Sequence, residues 1–197
     1  DGRLVIPEKE FAAYCAGAGI LHPDQKALQA ALKELKVSEI CPHMDCGASA
    51  LHTKKHMLAQ PPDDVGLQYA RGLAEAVGAT VQVLPSRPSF HPEMGALLLG
   101  KKQGFNSHSL SEGLPSMFRI TACVTSTEDL AHQAEISVKI AKGSHGFHKR
   151  LQHFTIGCIG DGKEYPATDL MKIAKGVQEK MNDHFHQELV RVCGIDV

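Results

Sequence analysis

The chain has 197 residues, a net charge of −1, six cysteines, twelve histidines and no tryptophan. That length suits one domain able to bury its own core. A near-neutral balance without a Lys/Arg block argues against nucleic acid and anionic membranes as partners, and no apolar run is long enough to span a bilayer.

The opening Asp1-Gly2-Arg3-Leu4-Val5-Ile6 reads as the end of a strand, without an initiator Met or a signal-peptide pattern, so residues upstream are expected. Phe11–Cys15 is expected as a short strand running into Ala16-Gly17-Ala18-Gly19-Ile20, where small residues permit a tight turn. Pro23 and Asp24 suit a helix start, and Leu28, Ala31, Leu32 and Leu35 repeat at helical spacing behind them. Val37–Cys41 is a β-type run. It leads into Cys41-Pro42-His43-Met44-Asp45-Cys46-Gly47-Ala48, and a helix is expected from Ala48 to about Leu58.

Gln60-Pro61-Pro62 breaks that helix. A second helix from Val65 to Val77 should stop at Gly78, and Thr80–Leu84 alternates as a strand. Pro85–Pro115 is rich in Pro, Gly and Ser and reads as long loops with a hairpin around Ala96–Phe105. Phe118–Val124 is the next strand. Thr125-Ser126-Thr127-Glu128 has capping-box spacing for a helix towards Lys142, with a strand over Glu135–Ile140 as competitor. His153–Ile159 is a strand. A long terminal helix after Thr168 carries Leu170, Ile173, Val177, Met181 and Phe185 on one face.

Strands alternating with helices predict an α/β fold with a mostly parallel central sheet flanked by helices. A single domain over 1–197 is expected. The scattered Cys15, Cys41, Cys46, Cys123, Cys158 and Cys193 form no Cys-x-x-Cys pair. They read as reduced thiols in a cytoplasmic setting rather than a disulfide framework.

The candidate site is His43-Met44-Asp45-Cys46. It stands at a strand's C-terminal end, where open α/β sheets place ligands. An imidazole and a thiol three residues apart can grip one zinc ion, although a zinc site needs a third or fourth ligand. The plain alternative is a buried Cys beside a hydrogen-bonded His. His52 and His56, four apart on a probable helix, can share a metal, but Lys54 and Lys55 beside them point to a solvated face. His145, His148, His184 and His186 are candidate proton carriers or ordinary surface histidines. Gly17 and Gly19 lack the Gly-Lys-Ser/Thr of a phosphate loop.

In order, Asp1-Gly2-Arg3, Ala16-Gly17-Ala18-Gly19, the helix Ala27–Leu35, Val37-Ser38-Glu39-Ile40 and His43-Met44-Asp45-Cys46-Gly47 resemble the metal-binding half of β-class carbonic anhydrases. The resemblance covers residues 1–59, and 60–197 departs from the family pattern. It implies a β-carbonic-anhydrase-like fold, with His43 and Cys46 as ligands of a Zn2+ cofactor. Asp1 and Arg3 would be the catalytic dyad, and a second Cys ligand would lie two positions before Asp1. Cys41 is the substitute inside the chain, since i and i+2 on a strand share a side. Gly2 stands where the family usually has Ser, and Arg3 to His43 is a short spacing. The implied activity is a zinc lyase that reversibly hydrates carbon dioxide to bicarbonate by a zinc-bound hydroxide, in a homodimer or higher homo-oligomer. The alternatives are a hydrolase of carbonyl sulfide or carbon disulfide, or a noncatalytic metal-binding, regulatory protein.

Overall fold

The structure is a computed structural model and describes residues 13–85, 94–100, 116–122, 126–142 and 151–196. It is an α/β fold with parallel sheets. Two compact units emerge, one from Cys15–Ser89 and one from Asp1–Tyr14 with Phe90–Val197.

In the unit Cys15–Ser89, helix α1 (Gln25–Glu34) starts at Asp24, whose carboxylate accepts the N–H groups of Lys26 at 3.0 Å and Ala27 at 2.9 Å. Pro23 therefore precedes the cap rather than occupying the first turn. Two-residue strands β1 (Glu39–Ile40) and β2 (Thr80–Val81) pair in parallel, and a single bridge from His43 to Leu84 prolongs the pairing. Helix α2 (Gly47–Lys55) follows Cys46, and α3 (Pro62–Val77) ends at left-handed Gly78, as the glycine predicts. Leu28, Leu32, Ile40, Ala48, Ala70 and Leu73 form its buried apolar interior.

The other unit is built on a four-stranded parallel sheet. The strands are β3 (Met94–Leu99), β4 (Ser116–Thr121), β5 (Phe154–Gly160) and β6 (Val190–Asp196), in the order β4-β3-β5-β6. Helices α4 (Thr127–Lys142) and α5 (Ala167–Phe185) pack on it. Ala96, Leu98, Ile120, Ile156 and Cys158, alternate residues of three strands, join both helices in one cluster, so both cover the same sheet face. Among the described residues no helix is long and apolar enough to cross a membrane.

Several expectations change. Residues 13–15 form no strand. Tyr14 instead makes one rung with Thr121, donating its N–H to Oγ1 and accepting the Thr121 N–H at its carbonyl, each at 2.9 Å. Ala96–Leu99 belongs to no hairpin, because β3 pairs in parallel with β4 on one side and β5 on the other. Its unbroken apolar run is what a strand buried on both faces requires. The Glu135–Ile140 segment is helical throughout, and its alternation arises because α4 is buried on most sides. Ser126 caps α4, accepting the Asp129 N–H at 3.2 Å and donating to Asp129 Oδ2 at 2.8 Å, while Thr125 lies outside the described residues. The long helix α5 is followed by a further strand, β6. The 101–115 part of the expected loop region, and the loop at 143–148, lie outside the described residues.

Candidate metal centre

Parallel pairing sets the site. The Leu84 N–H donates to the Pro42 carbonyl at 2.8 Å, and the Met44 N–H donates to the Leu84 carbonyl at 3.0 Å, so His43 is held between two ladder bonds. The backbone then reverses at Asp45, a non-glycine residue at φ 54°, a conformation Asp tolerates better than most. Asp63, in the first turn of α3, accepts the Asp45 N–H at 2.9 Å and anchors that reversal. Cys46 lands at the N-cap of α2 and is buried.

His43 and Cys46 come together. The imidazole Nδ1 lies 2.9 Å from the Met44 carbonyl oxygen, which can only accept, so Nδ1 carries the proton. Nε2 is then the nitrogen left to meet Cys46: it carries a proton where the ring donates to the sulfur, and it would ligate a metal once that proton leaves. Burial pushes the Cys46 thiol up. A hydrogen bond from His43, the charge of that ring, and the N–H and hydroxyl of Ser49 outweigh it, and the thiol comes down from 9.0 to about 7. No side chain closes a geometric cap on α2. The sulfur at the N-cap nonetheless faces the Ser49 donors, which act on it electrostatically. Ser49 was not singled out from the sequence. Its signal was its place three residues after the N-cap, where capping-box partners stand.

The Ala16–Gly19 turn packs over the sulfur. Gly17 has φ +59°, and a Cβ there would stand 3.5 Å from Cys46 Sγ and 2.7 Å from Ala48 Cβ. Gly19, at φ +99°, leaves room for Leu28, Tyr69 and Cys15. On the far side, Ser49 Oγ would lie 2.4 Å from a Cβ at Gly66, so that glycine is what lets α3 approach α2.

Cys41 does not join this pair. Its thiol faces Glu39 Oε2 at 3.7 Å and Gln82 Oε1 at 3.9 Å. Burial first, then the Glu39 charge and hydrogen bond, raise it to about 11, which keeps the proton on and makes a poor ligand. Asp1 and Arg3, like His145 and His148, lie outside the described residues. His184 and His186 stand at the C-terminal end of α5.

Soft thiolate and imidazole together suit zinc, so His43 and Cys46 fit two corners of a tetrahedral site. Among the described residues no group of three His, Cys, Asp or Glu side chains is placed to hold a metal. A groove of about 440 Å³ opens elsewhere in this unit, between α1, α2 and α3, lined by Gln25, Gln29, His52, Gln68, Tyr69 and Leu73 among others but not by His43 or Cys46. No family model, curated protein or solved structure matches the chain.

Proposed function

We propose that the chain is a zinc-dependent lyase that reversibly hydrates carbon dioxide. One observation carries this reading: the His43 ring and a Cys46 thiol brought down to about 7 meet at a strand end, under the Gly17 turn. These are the segments that resemble the metal half of β-class carbonic anhydrases.

His43 and Cys46 would hold the zinc, with a further Cys supplied upstream of Asp1. Zinc, when bound, supplies a Lewis acid that lowers the pKa of water towards about 7. Cys46 at near-neutral pH is largely poised to ligate without a large proton penalty. The Met44 carbonyl fixes the His43 tautomer, and Cys46 is buried, which limits solvent access to its sulfur. Asp1 would accept a hydrogen bond from the attacking water and aim its lone pair at the carbon, with Arg3 holding that carboxylate ionised through a bidentate pair. The same reading implies a homodimer or a dimer of dimers in solution, which light scattering measures.

The deciding experiment combines elemental analysis with stopped-flow carbon dioxide hydration on the protein carrying its upstream residues. The reading expects about one zinc per chain, lost in Cys46→Ser, together with hydration. Full zinc without hydration would favour the carbonyl sulfide, carbon disulfide or noncatalytic readings, and unchanged zinc in Cys46→Ser would remove the site itself.

A further inference from the structure

The C-terminal end of α2 carries a second pair of metal-competent side chains. His52 and His56 are four residues apart, so the helix stacks them on one face. Their rings have already met: the centroids are 4.4 Å apart, with the planes tilted by 41°. One ion with metal–nitrogen bonds of about 2.0–2.1 Å needs two donor nitrogens about 3 Å apart, within reach of rings this close by small side-chain rotations.

We propose that His52 and His56 form a two-imidazole site for a divalent transition-metal ion of the copper, nickel or zinc type. It lies about 9 Å along α2 from Cys46 at the helical rise and does not depend on the function proposed for His43 and Cys46.

Donor type sets the ion class. Two imidazoles without a carboxylate suit copper, nickel and zinc and leave magnesium and calcium poorly served. Position helps as well, because the negative end of the helix dipole favours a cation in the last turn. That turn is closed firmly: the Leu58 N–H donates to the Thr53 carbonyl at 3.0 Å and the Met57 N–H to the Lys54 carbonyl at 3.3 Å. His56 is thereby held as the C-cap residue at φ −99°. Burial, then the neighbouring His56 and Lys55, hold the His52 ring below its ordinary range and towards its neutral, lone-pair form. Lys54 and Lys55 oppose a bound cation, so the site is weaker than one made with a thiolate. Across the groove that His52 lines, Gln29 and Gln68 offer neutral amide oxygens. Water completes the coordination sphere.

The test is calorimetric titration of the full chain with Ni2+ alone, with melting followed in parallel. The wild type should bind nickel and melt higher with it, and Cys46→Ser should keep this event. His52→Asn and His56→Asn should each weaken it at least about tenfold, because chelation is lost when either point of attachment goes. The double variant should lose less than the sum of the two single losses, because the chelate term can be lost only once. His56 is exposed, and matching melting curves in chelator would confirm that the variants fold. Electron paramagnetic resonance of the Cu2+ form should show couplings to two imidazole nitrogens without any substitution. Unchanged affinity in either single variant, additive losses in the double, loss of the event in Cys46→Ser, or a single nitrogen coupling would each overturn the proposal.

Discussion

A methyl group on Gly17 would stand in van der Waals contact with the Cys46 sulfur, 3.5 Å from Sγ, while overlapping Ala48 Cβ at 2.7 Å. Twenty-nine residues of chain separation vanish at this contact, and the turn becomes one wall of the candidate metal centre.

Gly17→Ala should therefore be costly twice over. The left-handed φ costs about 1–2 kcal/mol for a residue with a Cβ. Forcing the methyl against Ala48 and Ile20 adds about 1–3 kcal/mol of overpacking. Gly78, at φ +76° with nothing within 4 Å, is the control and should lose only the first of these on Gly78→Ala. Urea denaturation of both variants should place Gly17→Ala well below Gly78→Ala, and equal losses would show that the Gly17 contact carries no weight.

Cys46 should make stability depend on pH in the metal-free protein. Its folded value, about 7, lies below the ordinary 9.0. The thiolate thus contributes stability in full above pH 9 and loses it as pH falls through about 7. A two-unit depression is worth about 3 kcal/mol at most. Denaturation midpoints in chelator at several pH values should show this rise in the wild type and not in Cys46→Ser. Thiolate absorbance should titrate near 7, and Ser49→Ala and His43→Ala should both move that midpoint upward.

Asp1→Asn and Arg3→Ala separate catalysis from metal binding. In a protein carrying its upstream residues, each should keep zinc yet lower carbon dioxide hydration at least about tenfold, since positioned proton acceptors contribute about 10²–10⁴ in rate. Stopped-flow rates equal to the wild type in either variant would show that these residues are not the dyad.

Leu98→Ala probes the strand that the sheet is built around. Leu98 is completely buried in β3, paired with Ile120 on one side and Cys158 on the other. The substitution should cost about 2–5 kcal/mol, measured by chemical denaturation. A loss typical of a surface hairpin, under about 0.5 kcal/mol, would contradict β3 as a central strand.

Local chemistry made much of this protein legible before any fold was in view. The helical spacing of Leu28 and Leu32, the αL stop at Gly78, the strand run into Phe154–Ile159 and the apolar face of α5 are all set by neighbours within a few residues. His43 and Cys46 belong with them only in part: a strand end followed by a helix start brings i and i+3 near each other, and the bonds from Leu84 and Asp63 then fix them. Other features needed distant partners. The run Gly95–Leu99 is compatible with a hairpin or a buried strand, and only flanking β4 and β5 select the strand. Val190–Asp196 becomes β6 because β5 offers it a hydrogen-bonded edge. There Asp196 accepts the Ala167 N–H at 2.7 Å across 29 residues of sequence. Cys41 stands as a substitute ligand on strand spacing, and the parallel pairing turns its thiol towards Glu39 and Gln82 instead. The Gly17–Cys46 and Ser49–Gly66 approaches are likewise tertiary, because close packing depends on which backbones meet, and no local pattern encodes that meeting.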